Sequence, residues 1–160
     1  MSTRSVIARR TPEGFTGVYH HFDGYPSGVG AQLKQLYNGH FHKDIKAMMH
    51  TLIDEHSTGW SNINGADFTQ IPGFIEYGSS IKEDDPRYNR PRCYCHGERH
   101  EEFRGFIEKQ GDNWGTEYAY AIDEEEAMMW CYKWLVAQEW HLFAFINLNS
   151  EEDYDWETLG

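Results

Sequence analysis

Gly17-Val18-Tyr19-His20-His21-Phe22-Asp23-Gly24-Tyr25-Pro26-Ser27-Gly28-Val29-Gly30 compresses a strand end, a tight turn and a helix start into one short stretch. Glycines at 24, 28 and 30 lose more conformational freedom on folding than other residues would. That loss usually accompanies an unusual dihedral, close packing or a ligand near the backbone. Upstream, Thr11-Pro12-Glu13-Gly14 has proline and glycine at the second and fourth places of a turn, so 3–9 and 15–22 read as the two strands of a hairpin. Downstream, Ser27 can cap a helix carrying Val29, Leu33, Leu36 and Tyr37 on one face, ended by Asn38-Gly39.

A second helix is expected from His42 to His56, because Ile45, Met48, Met49, Leu52 and Ile53 recur at the spacing of a core-facing stripe. His42, His50 and His56 fall off that stripe and are expected to face solvent or to act as helix-terminal charge partners. Residues 57–99 lose periodicity, with one short strand expected at 74–77. Trp60 within Gly59-Trp60-Ser61 is expected to anchor this long segment to the core. A third helix is expected over His100–Gln110, burying Phe103, Phe106 and Ile107. The last third alternates as a meander through Tyr118, Tyr120 and Ile122, then Met128, Trp130, Tyr132 and Trp134, then 139–148. Residues 124–137 also fit a helix, and the alternation favours strand. The resulting fold class is α+β: an antiparallel sheet made of the hairpin and the aromatic meander, packed by about three helices. It forms one domain over 1–149, followed by an acidic tail over 150–160 expected to fray.

Aromatic residues make up 16% of the chain, so rings should fill much of the core. The net charge of −12 is unevenly placed. Residues 1–100 hold eleven basic and eleven acidic side chains, whereas 101–160 hold three and fifteen. A net acidic surface repels phosphates, which argues against nucleic acid and membrane partners. No apolar run is long enough to span a bilayer, and the N-terminal residues lack the apolar block of a signal peptide, so a cytoplasmic location is expected. Three cysteines, two of them one residue apart, argue against a disulfide framework.

Three constellations carry possible chemistry. At 17–30, the amides of Gly28 and Gly30 at a helix start could receive a phosphate or nucleotide, with Ser27 beside them and His20, His21 and Asp23 at the strand end. In the C-terminal third, Glu124, Glu125, Glu126, Glu151, Glu152, Asp153 and Asp155, interleaved with Tyr154 and Trp156, could complement a basic protein surface. Cys93, Cys95, His96 and His100 have ligand types suited to zinc. One residue between the cysteines should point their sulfurs to opposite sides of an extended chain, so zinc is a minor expectation and no other cofactor is expected. No nucleophile motif is visible, which favours a binding protein over an enzyme.

Thr3-Arg4-Ser5, the Tyr19–Gly30 run, Gly59-Trp60-Ser61 and Cys93-Tyr94-Cys95-His96-Gly97 resemble a group of small proteins from bacteriophages and actinobacteria with no assigned activity. The resemblance covers about the first 100 residues and brings no catalytic residues. It implies a phage accessory protein whose partner is a host protein, such as a defence factor with a basic surface, and a setting in the host cytoplasm.

Overall fold

The computed structural model describes residues 2–73, 84–95, 107–108, 115–135 and 138–159. β1 (Ser5–Thr11) and β2 (Gly14–His20) form the expected hairpin, in register from Ser5↔His20 to Thr11↔Gly14. A π-helical turn at Pro26–Gly30 leads into α1 (Ala31–Asn38), which Gly39 ends by donating its N–H to the Gln35 carbonyl. α2 (Ile45–Met49) starts later than expected because His42 and Lys43 have φ of 48° and 64°, outside the helical region. Asp44 caps it by accepting the Ala47 N–H at 3.0 Å. A second π turn, His50–Asp54, extends α2 and keeps the stripe inward: Met48, Met49, Leu52 and Ile53 are fully buried.

β3 (Trp60–Asn62) and β4 (Arg92–Cys93) follow, with a 3-10 turn at Pro86–Asn89. β5 (Ile107–Glu108) comes next, then β6 (Tyr118–Asp123), β7 (Met128–Leu135) and β8 (Glu139–Asn147). The strands run in the order β4-β3-β2-β1-β6-β7-β8, with β5 also paired to β2. The α+β class and the strand reading of the meander hold. The sheet, however, is mixed and not antiparallel throughout: β1 pairs β6 in parallel, and β2 pairs β3 in parallel. Side-chain alternation is the same whichever way a partner strand runs, so the pattern carries no information on this point.

Among the described residues there are two α-helices in place of three. The end of the third expected helix is strand, since Ile107 and Glu108 pair with Gly17 and Thr16; residues 100–106 and 109–110 lie outside the described residues, as do 74–77. No helix among the described residues is long and apolar enough to cross a membrane.

The sheet sorts its side chains by size. Ile7, Val18, Tyr118, Tyr120 and Ile122 point to the face covered by α1 and α2, where they meet Val29, Leu33, Met48, Leu52 and Trp60. On the opposite face β1 and β6 place Val6, Ala8, Ala119 and Ala121, which leave room for rings of Phe15, Tyr132 and Trp140. Phe15 lies 5.2 Å from the Tyr132 ring and 5.6 Å from that of Trp140. Trp60 anchors its segment as expected: it is fully buried and donates Nε1–H to the Leu52 carbonyl at 2.8 Å.

Residues 150–159 lie against the body of the fold. Tyr154, Trp156 and Leu159 pack against the helix-side core, and Lys34 of α1 donates to the Ser150 carbonyl. Tyr37 donates to Asn149 Oδ1 at 2.9 Å, and Asn38 Nδ2 donates to the Leu148 carbonyl at 2.9 Å. The acidic composition suggested a solvated tail; two rings and a leucine spaced among the acids give it an apolar side that α1 covers.

Candidate functional site

The residues of the 17–30 stretch are held mainly by each other. Asp23, at φ 53°, turns the chain so that its carbonyl accepts the Val29 N–H at 3.0 Å, while the Gly28 N–H donates to the Tyr25 carbonyl at 2.9 Å. A Cβ on Gly28 would stand 2.0 Å from the Asp23 carbonyl oxygen, so close backbone packing is what this glycine allows. At Gly30 a Cβ would come within 3.2 Å of the Tyr120 ring and 3.3 Å of Trp156. The glycines are therefore packing positions, and the Gly28 amide expected to meet an anion is already spent inside the turn.

The two histidines beside it are occupied as well. His20 is fully buried, and its Nε2 accepts the Ile63 N–H at 3.0 Å. Burial, followed by the neighbouring His21, pushes its pKa down to about 3, so the ring is neutral across the physiological range. The Tyr19 hydroxyl and His21 Nδ1 share a 2.6 Å hydrogen bond. Neither histidine lines the adjacent cleft.

That cleft, about 780 Å³, opens between the Asp23–Gly28 turn, the first turns of α1 and the docked tail. Asp23 and Glu157 bring carboxylates to it, Tyr25, Tyr118 and Trp156 bring rings, and Gln32, Gln35 and Asn64 bring amides. Ser27 and Gly28 lie in its wall. Among the described residues no lysine or arginine lines it. The Tyr25 hydroxyl donates to Asp23 Oδ1 at 3.1 Å, and that bond, with burial and the charges of Asp23 and Glu157, raises its pKa above the usual phenol value. Its described lining thus combines two carboxylates with three rings, and Lys133 Nζ lies 5.6 Å from the centroid of one of them, Tyr118.

A second groove of about 600 Å³ adjoins it, sharing Ala31, Gln35 and Trp156. Glu151, Glu152, Asp153 and Tyr154 line it from the tail, and Lys34 and Lys43 from the helix side. The tail acids Glu151, Glu152, Asp153 and Asp155 are exposed, whereas Tyr154 and Trp156 are half-buried with ring centroids 5.7 Å apart. The acidic turn joins this end of the molecule, since the Leu148 N–H donates to the Ala127 carbonyl. Its members differ in role. Glu125 and Glu126 are exposed, while Glu124 sits 3.6 Å from Arg9 and 3.8 Å from Lys46. Trp130, Trp134 and Trp140 belong to the other face of the sheet, and the Arg10 guanidinium lies 3.4 Å from the Trp130 ring centroid. The structure therefore joins the tail acids to Tyr154 and Trp156 and separates them from the meander tryptophans.

Sequence reasoning missed Tyr25, Gln32, Gln35 and Asn64 as cleft residues, and Glu157 as a member of the acidic set. A tail treated as solvated cannot form a wall, although the Tyr154 and Trp156 spacing was a readable sign that it docks.

Cys93 and Cys95 take a different arrangement from the expected one. His56, expected in solvent, is buried because the helical period ends at Asp54 and the following turn folds inward. Its Nδ1 lies 3.2 Å from Cys95 Sγ, and the ligand atoms of His56, Cys93 and Cys95 all lie within 4.8 Å of one another. The two sulfurs converge because the chain leaves the extended conformation after Cys93, which breaks the strand alternation. His96 and His100 lie outside the described residues.

Comparisons with protein-family models, curated proteins and solved structures gave no match.

Proposed function

We propose that this chain is a non-enzymatic binding protein whose cleft beside α1 receives a cationic segment of a protein partner. The observation that carries the reading is the lining: two carboxylates, three rings and three side-chain amides, with no basic side chain among the described lining residues. An arginine is the side chain that such a site fits, because its guanidinium can pair with a carboxylate, donate to amide oxygens and stack on an aromatic face. The exposed acids at 151–155 and 125–126 extend the same potential beyond the cleft. They would speed encounter with a basic surface more than they would strengthen the complex. The partner class we propose is a host protein with a basic groove, as the sequence resemblance implies.

The internally bonded amides of Gly28 and Val29 count against the phosphate reading. A labelled arginine-rich peptide, followed by fluorescence anisotropy at low and high salt, tests the choice. Asp23→Asn combined with Glu157→Gln should weaken binding about fivefold, the worth of two partly solvated ion pairs. The peptide should bind less tightly as salt rises. Equal binding by the double variant, or a nucleotide that binds in preference to the peptide, would refute the reading.

A further inference from the structure

We infer that His56, Cys93 and Cys95 form a binding site for a soft divalent cation of the zinc type. Tetrahedral zinc, with bonds of about 2.3 Å to sulfur and about 2.0 Å to nitrogen, holds its donor atoms roughly 3.5–3.8 Å apart. The three donor atoms here already lie within 4.8 Å of one another, with 3.2 Å between His56 Nδ1 and Cys95 Sγ. These separations are close to those of a tetrahedral donor set.

His56 is far in sequence from Cys93 and Cys95, and the two segments are fixed to each other by backbone hydrogen bonds. The His56 carbonyl accepts the Gly59 N–H at 2.9 Å, and the Gly59 carbonyl accepts the Tyr94 N–H at 3.1 Å. Gly59 has φ 93°, and a Cβ there would stand 2.6 Å from the Tyr19 carbonyl oxygen, so the clasp requires glycine. Trp60 pairs with Cys93 across β3 and β4, and its ring packs 4.5 Å from the His56 imidazole. A buried tryptophan wall thus fixes both the ring and one thiol, as the surroundings of a metal site must. Cys93 is fully buried and His56 is 3% exposed, whereas Cys95 is only partly covered, so the site is closed on the core side and open at Cys95. Two thiolates and one imidazole select zinc over calcium or magnesium, which take oxygen donors. Zinc binding at neutral pH would release protons from the thiols.

The test is titration of the full chain with cobalt(II), then zinc, in a non-thiol reductant. The expected result is one equivalent of cobalt giving tetrahedral visible bands and a thiolate charge-transfer band, both abolished by one equivalent of zinc. Cys95→Ser, at the open side, should reduce the charge-transfer intensity by about half while circular dichroism stays native, since that band scales with the number of thiolate ligands. His56→Gln should weaken zinc binding at least about tenfold. Absence of the charge-transfer band, a spectrum unchanged in Cys95→Ser, or magnesium competing as well as zinc would overturn the assignment. A Cys93–Cys95 disulfide in chain purified under reductant, with no metal taken up, would also overturn it.

Discussion

His20→Gln should flatten the acid side of this protein's stability curve. His20 is fully buried, accepts one hydrogen bond from the Ile63 N–H and leaves Nδ1 buried with no partner. Its pKa falls from an ordinary 6.5 to about 3, first because burial penalises the imidazolium and then because His21 is close. The unfolded chain takes up a proton as pH falls through 6.5, and the folded chain does not until near pH 3. Stability is therefore lost over that window and is unaffected above it. Between pH 7 and pH 5 the loss is about 1.5 pH units at 1.36 kcal/mol each, or about 2 kcal/mol, a large share of an ordinary domain's stability. Glutamine can offer an amide oxygen to Ile63 but does not titrate. Urea unfolding of both proteins at pH 7 and pH 5 separates this effect from that of the other histidines. The wild type should lose about 2 kcal/mol more than the variant over that interval. Parallel losses, or an imidazole of His20 that titrates near pH 6 by NMR, would refute the reasoning.

Gly28→Ala should cost about 2–3 kcal/mol in urea unfolding, because its Cβ would lie 2.0 Å from the Asp23 carbonyl oxygen and backbone must move. Gly65→Ala, at φ 66° with nothing within 4 Å, should cost only about 1 kcal/mol; the reverse order would contradict the packing account. Asp54→Asn removes a two-pronged pair with Arg9 at 2.8 and 3.1 Å, held largely in solvent. Arg9, through that hydrogen bond first, lowers the Asp54 pKa, so the pair's contribution exists above the carboxylate range and disappears as pH falls through it. The expected loss is no more than about 1 kcal/mol at pH 7, and it shrinks as pH falls below the ordinary carboxylate range, as measured by denaturation midpoints.

The parts of this fold that were legible are those decided within a few residues. The proline-glycine turn gave the hairpin, the methionine-rich stripe gave α2, and the alternation from Met128 to Trp134 gave β7 despite helix-compatible glutamates at 124–126. What escaped depends on contacts across the chain. Nothing in β1 or β6 says that Val6 will lie beside Ala119 in a parallel pair, and nothing near His56 announces Cys95. At Gly28 and Gly30, local sequence does not tell a backbone that makes room for a ligand from one that makes room for Asp23 and Trp156.

That last distinction bears on how the cleft can work. Trp156 is at once a wall of the cleft, a wall of the adjoining groove and a ring that packs beside Gly30. Glu157, one residue on, supplies a carboxylate to the cleft. Undocking of residues 150–159 would therefore remove an aromatic wall and an acid together, and a partner that engages both must favour the docked tail. The tail is held by the packing of Trp156 and Leu159, which line the cleft, and also by contacts outside it, from Lys34, Tyr37 and Asn38 of α1 to 148–150. Under the proposed function, tail docking and cation binding would be linked equilibria with separable parts. Weakening the Asn38 or Tyr37 bonds should then lower apparent affinity by reducing the docked fraction, whereas replacing Asp23 should lower it with the tail in place.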